Sequence, residues 1–259
     1  MARNCARMRG FHASESAYDA ELLAELVELG IAVRLFDEVF TDRRALAELT
    51  TIAERREAAR TAGSKDFLKR LMPDAITFDS AYVRLALEPR VLALANAYIG
   101  MRSYLRGLEL WRNMPTDEPP KLSQLWHRDW DDEINLKYFV YLSDVTERHG
   151  PFTFAPRTHP RGRHRLDIQE RLGDDDMAER VPRRDWVVCT GSPGTVVIAD
   201  TCGHHKGGKP EVGDRLLWTA QFTTGAALAQ RSFRLEGDPP DGLTVDQRYA
   251  LFEKPRRAA

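Results

Sequence analysis

Apolar residues recur at helical spacing through the first hundred positions of this chain and crowd into short, alternating runs after them. In "SAYDAELLAELVELG", Leu22, Leu23, Leu26 and Leu29 share one face, and Gly30 stands where a C-terminal cap is needed. "TDRRALAELTTIAERREAARTAG" predicts a second helix, opening with Thr41 as N-cap and closing at Gly63. "LEPRVLALANAYIG" predicts a third, with Pro89 near its start and Gly100 past its end, the asymmetry expected of these two residues. These helices read as packing scaffold.

Past Gly100 the period changes. "SYLRGLELWRN", "NLKYFVYLSDV", "GPFTFAP", "GTVVIAD" and "GDRLLWTAQFTT" are short, rich in β-branched or aromatic residues, and bounded by Gly, Pro, Asp or Asn. No helical pattern alternates with them, which predicts an antiparallel sandwich or jelly roll rather than a parallel sheet. Between Arg157 and Asp185 runs a long charged segment, and a loop of that length inside a compact domain is expected to be a lid or binding loop. The whole chain, 1–259, reads as one domain: a helical part over about 1–100, a β-core over about 101–225, and the lid over about 157–185.

Composition narrows the function. With 38 Lys+Arg against 39 Asp+Glu the formal net charge is -1, which argues against a nucleic-acid or polybasic membrane role. The three cysteines, Cys5, Cys189 and Cys202, are odd in number and lack CxxC spacing, so neither a disulfide framework nor a structural zinc site is expected. No apolar run reaches membrane-spanning length, and the basic start "MARNCARMRG" is followed by no hydrophobic stretch. A cytoplasmic location is the expectation.

The candidate chemistry begins in "SQLWHRDWDD", where His127 and Asp129 are two residues apart. Near the end of a strand, such residues face one side about 6–7 Å apart, a distance that suits two ligands of one ion. A third ligand is available in "DTCGHHKGGKP", from His204 or His205. Two imidazoles and one carboxylate leave three positions of an octahedral ion open, the arrangement of non-haem Fe(II) oxygenases. Structural zinc would prefer four closed ligands. Ten residues after His205, Arg215 opens a predicted strand, and its planar guanidinium suits bidentate pairing with a carboxylate. Fe(II), Asp129, Arg215 and a dicarboxylate such as 2-oxoglutarate together carry no net charge, the condition under which a buried charge cluster is tolerable.

Taken in order, "QLWHRDWDDEINLKYFVYLSDVTERHGPFTFAPRTH", "GTVVIADTCGHHKGG" and "GDRLLWTAQF" resemble the phytanoyl-CoA dioxygenase family of Fe(II)/2-oxoglutarate enzymes. The resemblance covers roughly Trp111 to Thr224 and is weaker over Tyr82 to Gly100. It implies a double-stranded β-helix, the cupin-like jelly roll, with iron inside one end. His127 and Asp129 match the family's H-x-D ligands. In D-T-x-G-x-H-x-G the matching histidine is His205, while His204 falls on a position that is usually apolar. Arg215 matches the arginine that grips the distal carboxylate of 2-oxoglutarate, and Gln124 resembles a glutamine that contacts the co-substrate in some relatives. Lys137 could also reach the site, on the ground of its proximity in sequence.

The remaining candidates read differently. His159 corresponds to a P-G-S-H turn whose Gly and Ser are Arg157 and Thr158 here, which makes it a loop residue rather than a ligand. His149 and His12 are expected at the solvated surface, and Cys202 as a small loop residue. Arg161, Arg163, His164 and Arg165 form a basic cluster on the lid, which raises an anionic small-molecule substrate. The resemblance implies an oxygenase that consumes dioxygen and 2-oxoglutarate, gives succinate and CO2, and hydroxylates a C–H bond. The alternatives are a non-oxidative isomerase or epimerase of the same fold, or a catalytically silent metal-binding protein. A halogenase would need Asp129 replaced to make room for chloride. Substrate and oligomeric state are open at this level.

Overall fold

Asp19 accepts hydrogen bonds from the amides of Glu21 and Leu22 and starts helix α1 (Ala20–Leu29), which ends where Gly30 turns left-handed at φ 81°. A side chain at Gly30 would be strained in that conformation and would also meet His159, whose Nδ1 lies 2.5 Å from where a Cβ would stand. The chain then enters strand β1 (Ile31–Leu35). The computed structural model describes residues 19–55, 67–71, 75–164, 166, 170–224 and 230–252. Cys5, His12, Arg165 and the predicted helix end at Gly63 lie outside them.

Short helix α2 (Phe36–Val39) and α3 (Arg43–Arg55) follow. Thr41 was expected to cap α3, but its hydroxyl donates to Glu88. The capping carboxylate is that of Asp42, which accepts from the Ala45 amide at 3.1 Å. Strands β2 (Leu68–Arg70) and β3 (Ala75–Thr77) lead to helices α4 (Ala81–Ala86) and α5 (Pro89–Ile99). Gly100 closes α5 at φ 80°, as its place in the sequence predicts.

The β-core comprises β4 (Tyr104–Asn113), β5 (Asn135–Tyr141), β6 (Phe152–Phe154), α6 (Asp174–Ala178), β7 (Val187–Cys189), β8 (Thr195–Asp200), β9 (His205–Gly207) and β10 (Arg215–Thr223). β11 (Arg234–Glu236) pairs with β3, and α7 (Val245–Phe252) ends the described chain. A six-stranded sheet has the order β1-β8-β5-β10-β4-β2, and a three-stranded sheet the order β7-β6-β9. The neighbours within these two sheets are antiparallel throughout. This is the predicted jelly roll, the double-stranded β-helix.

Strand alternation divides the apolar residues between two layers. Leu136, Tyr138 and Val140 of β5 and Leu216, Trp218, Ala220 and Phe222 of β10 pack with the helices in the larger core. Their neighbours Tyr141 and Leu217 turn inward, where they meet Phe152, Phe154 and Cys189 of the smaller sheet. All nine residues of β10 are buried, its apolar side on the larger core and Arg215, Thr219, Gln221 and Thr223 among its buried polar groups.

Six of the described strands escape the sequence pattern: β1, β2, β3, β7, β9 and β11. "IAVRL" lies inside the part predicted to be helical, yet it pairs with β8 from Ile31↔Ala199 to Leu35↔Thr195. Five residues are too few to declare a period. β7 and β9, three residues each, are shorter still. The segment from Arg157 to Asp185 is pinned in its second half. Trp126 and Leu172 exchange backbone hydrogen bonds at 3.0 Å, and Met177 and Val181 bury against Trp126.

Candidate metal centre

His127 sits outside any regular strand, and backbone pairing places it. His127 N donates to His205 O and His205 N donates to His127 O, both at 2.9 Å. A residue pair that exchanges both bonds puts its side chains on one face. The two imidazole centroids are 4.3 Å apart. Asp129 is held by its own amide, which donates to Thr201 O at 2.8 Å. H-x-D was expected near a strand end; the loop instead borrows the edge of β9 for the same purpose.

Hydrogen bonding orients both rings. His127 Nδ1 lies 2.8 Å from Leu125 O and His205 Nδ1 lies 3.0 Å from Gly203 O. A carbonyl only accepts, so each Nδ1 carries the proton and each Nε2 is left with a lone pair. Those Nε2 atoms lie 3.9 Å and 4.0 Å from the Asp129 carboxylate oxygens. Among the described residues, His127, Asp129 and His205 form the group able to hold a metal ion, with donor atoms all within 4.8 Å of one another.

Electrostatics prepare the same protonation states. Burial, reinforced by His127, holds His205 down at about 3. Burial also lowers His127, against the pull of Asp129. Burial alone would raise the Asp129 carboxyl, but Lys137, His205 and His127 hold it below the usual carboxylate range. At neutral pH the cluster is therefore two neutral imidazoles and one carboxylate, the forms that bind a metal.

His204 is equally buried but is not part of the cluster. Its amide donates to Thr158 Oγ1, and neither ring nitrogen has a hydrogen-bond partner among the described residues. Burial, with Arg128 and His127 nearby, holds it at about 4. His159 is also buried, with Nε2 3.1 Å from Val27 O, where it ties its loop to α1. Cys202 is buried, and its thiol is pushed up by burial and by Asp200.

Arg215 is 4% exposed, and its Nε and Nη1 have no hydrogen-bond partner among the described residues. Gly207, two residues after His205 on β9, lies against its Nη2. A buried guanidinium without an acidic partner is a site built for an anion. Gln124 lies beside the same strand end: Ser123 O is 3.7 Å from the Cβ position of Gly207. The Oε1 of Gln124 accepts from Lys121 N, and its Nε2 is buried and unpartnered. Phe152 stacks on His205 at 5.4 Å and on Phe139 at 4.7 Å, giving the centre an apolar wall.

Lys137 reaches the centre in fact as well as in sequence: its Nζ donates to Asp129 Oδ2 at 2.7 Å. Asn135 and Gln221, which sequence reasoning missed, stand near it on the same sheet face. Their signal was strand parity, since Asn135, Lys137, Phe139 and Tyr141 alternate with residues of the larger core.

Residues 35–210 match the family described as Phytanoyl-CoA dioxygenase (PhyH). No match was found among curated proteins. Several solved structures share the fold. EctD from S. alaskensis, with 2-oxoglutarate and 5-hydroxyectoine, has a TM-score of 0.58 at 20% identity, over 88% of this chain and 83% of its own. The epimerase SnoN, in complex with Fe3+, alpha ketoglutarate and nogalamycin RO, has 0.55 at 19%, over 92% and 94%. HygX from Streptomyces hygroscopicus, with nickel, 2-oxoglutarate and hygromycin B bound, has 0.53 at 17%, over 92% and 97%.

Proposed function

This chain belongs to the phytanoyl-CoA dioxygenase family, and from that premise we propose that it is a non-haem Fe(II), 2-oxoglutarate-dependent oxygenase that hydroxylates a C–H bond of a small molecule. One observation carries the reading. A cluster of two histidines and one carboxylate lies beside a buried arginine that has no acidic partner among the described residues. A metal site alone would not need Arg215, and a structural arginine would have an anion already.

When bound, iron and 2-oxoglutarate supply the oxidising chemistry, in which dioxygen and 2-oxoglutarate are consumed and succinate and CO2 are released. The protein supplies binding and geometry. His127 and His205 would offer Nε2, and Asp129 a carboxylate oxygen, which leaves half of an octahedral ion open. Arg215 would take the distal carboxylate of 2-oxoglutarate in a charge-assisted pair, and Gln124 Nε2 adds a donor at that end. Phe139 and Phe152 keep water from the ligand side of the site.

Hydroxylation is the outcome we assign; epimerisation, the activity in the name of SnoN, would use the same residues on a different substrate. The presence of Asp129 disfavours halogenation. The test is anaerobic addition of Fe(II) and 2-oxoglutarate to metal-free protein. A weak visible metal-to-ligand charge-transfer band is expected, along with oxygen-dependent succinate release. A metal-bound protein that gives no such band with 2-oxoglutarate would be a binding protein or a non-oxidative enzyme.

A further inference from the structure

The sheet face beside the metal ligands carries a cation that the ligand set does not account for. Lys137 lies on that face, opposite Gln221 on one side and Ala199 on the other. Its side chain is 21% exposed, and Asp129 is its hydrogen-bond partner among the described residues. An ammonium offers three donors, so two are left for something else.

Two residues before it on the same face, Asn135 is fully buried. Asn135 Oδ1 accepts from Gln221 Nε2 at 2.8 Å, but its Nδ2 has no partner among the described residues. A buried donor with nothing to donate to is costly unless a ligand supplies the acceptor. Lys137 and Asn135 thus offer donors that no hydrogen bond among the described residues uses.

Charge points the same way. Two acidic groups of the same face are already paired: Glu109 with Arg70 at 2.6 Å, and Asp131 with Arg106 at 3.1 Å. Asp200 is turned to the helical side, where it accepts from Tyr98 at 2.8 Å. Fe(II) and the 2-oxoglutarate dianion cancel, and so do Asp129 and Lys137. Within this set of five groups the positive charge of Arg215 is left over, which favours a further anion beside them. The balance of zero reached from the sequence had left Lys137 out.

We infer that the substrate is an acid whose oxyanion, a carboxylate or a phosphate, is received by Lys137 and Asn135 beside the metal ligands. The inference rests on the iron and 2-oxoglutarate reading above. It makes Lys137 a specificity-determining residue. It also sets the substrate apart from a plain apolar chain, which would leave these donors and this charge buried without partners.

The test uses full-length protein, held anaerobic with Fe(II) and saturating 2-oxoglutarate so that Arg215 is already occupied. Acetate, methyl phosphate and neutral acetamide are titrated in, and the shift of the charge-transfer band is read. One or both anions should bind in the millimolar range while acetamide does not, and the better anion identifies the oxyanion. Lys137→Met should weaken anion binding by about tenfold or more, the scale of one lost charge-assisted contact. Lys137→Arg should restore most of it, with each variant compared at Fe(II) and 2-oxoglutarate levels that saturate its own band. Equal anion binding by wild type and Lys137→Met, or binding of acetamide as tight as acetate, would overturn the inference. Loss of the band in Lys137→Met, with an unchanged melting temperature, would also overturn it and make Lys137 a positioning residue for Asp129. If wild type itself gave no band, the oxygenase reading would fail first and take this inference with it.

Discussion

Gly207 stands against the guanidinium of Arg215, so close that a Cβ on residue 207 would lie 3.1 Å from Nη2. Strand β9 thus carries a metal-ligand candidate at His205 and, two residues on, the glycine that makes room for the Arg215 guanidinium. Metal and co-substrate functions should be separable by mutation on this basis. Arg215→Ala should keep iron affinity but raise the 2-oxoglutarate dissociation constant by about two to nearly four decades, from a lost buried pair of about 3–5 kcal/mol. Gly207→Ala should cost less, about tenfold, because crowding a packed site costs about 1–3 kcal/mol. Calorimetric titration of each variant with 2-oxoglutarate in the presence of Mn(II) measures both. Wild-type affinity in Arg215→Ala would make the arginine structural.

The two adjacent histidines should behave oppositely. His127→Ala, Asp129→Ala and His205→Ala should each abolish the charge-transfer band, since losing one of three ligands severely weakens a site. His204→Ala should retain the band and instead lower stability by about 1–3 kcal/mol, through the space it leaves in a packed interior. Spectra and melting curves on the same four preparations would decide it. A band lost in His204→Ala and kept in His205→Ala would exchange their roles.

Metal binding should tolerate mild acid. Burial holds His205 at about 3 and lowers His127, so neither imidazole takes up a proton as pH falls through its ordinary value near 6.5. Co(II) affinity should therefore stay level between about pH 8 and pH 6, where an ordinary histidine pair would already be losing it. Stability of the metal-free protein should move the other way. The unfolded chain binds protons below about pH 6.5 that the folded form refuses, so stability declines from there downward as pH approaches the folded value. Denaturant melts at pH 8, 6 and 5 test the sign; higher stability at pH 5 would refute it.

Gly30 should be intolerant of any side chain. At φ 81°, and with His159 Nδ1 2.5 Å from the Cβ position, Gly30→Ala combines backbone strain with a clash against a buried ring. A loss of more than about 1 kcal/mol is expected from the conformation alone. Gly100→Ala, with similar φ but open space, should lose less. Equal midpoints for the two variants in urea would mean that the His159 contact is inconsequential.

Hydrogen exchange should divide the proposed lid. The amides of Trp126 and Leu172 exchange bonds with each other, and both residues belong to a buried apolar cluster with Met177. Their amides should be protected to the same degree as those of β5, with or without ligands. Substrate-dependent protection, if the segment closes, should fall on the stretch before Leu172. Fast exchange at Leu172 in the free protein would contradict the packing.

By itself, the sequence determined the long elements and the identity of the chemistry. α1, α5, β4, β5 and β10 each bury a face long enough to write its period into the chain, and their caps at Gly30 and Gly100 are local backbone requirements. His127, Asp129 and Arg215 were legible because ligand chemistry restricts residue type. Only the tertiary structure decided how those groups meet. β1, β7 and β9 are strands because neighbours pair with them, and runs of three to five residues carry no period of their own. Strand parity alone left His204 and His205 open, and the resemblance picked His205; in the structure His205 joins the cluster because its pairing with His127 sets which way each side chain faces. Lys137 belongs to the site for the same reason. Its distance from Asp129 is eight residues along the chain but 2.7 Å through space, a closeness made by a loop folding back onto a sheet face.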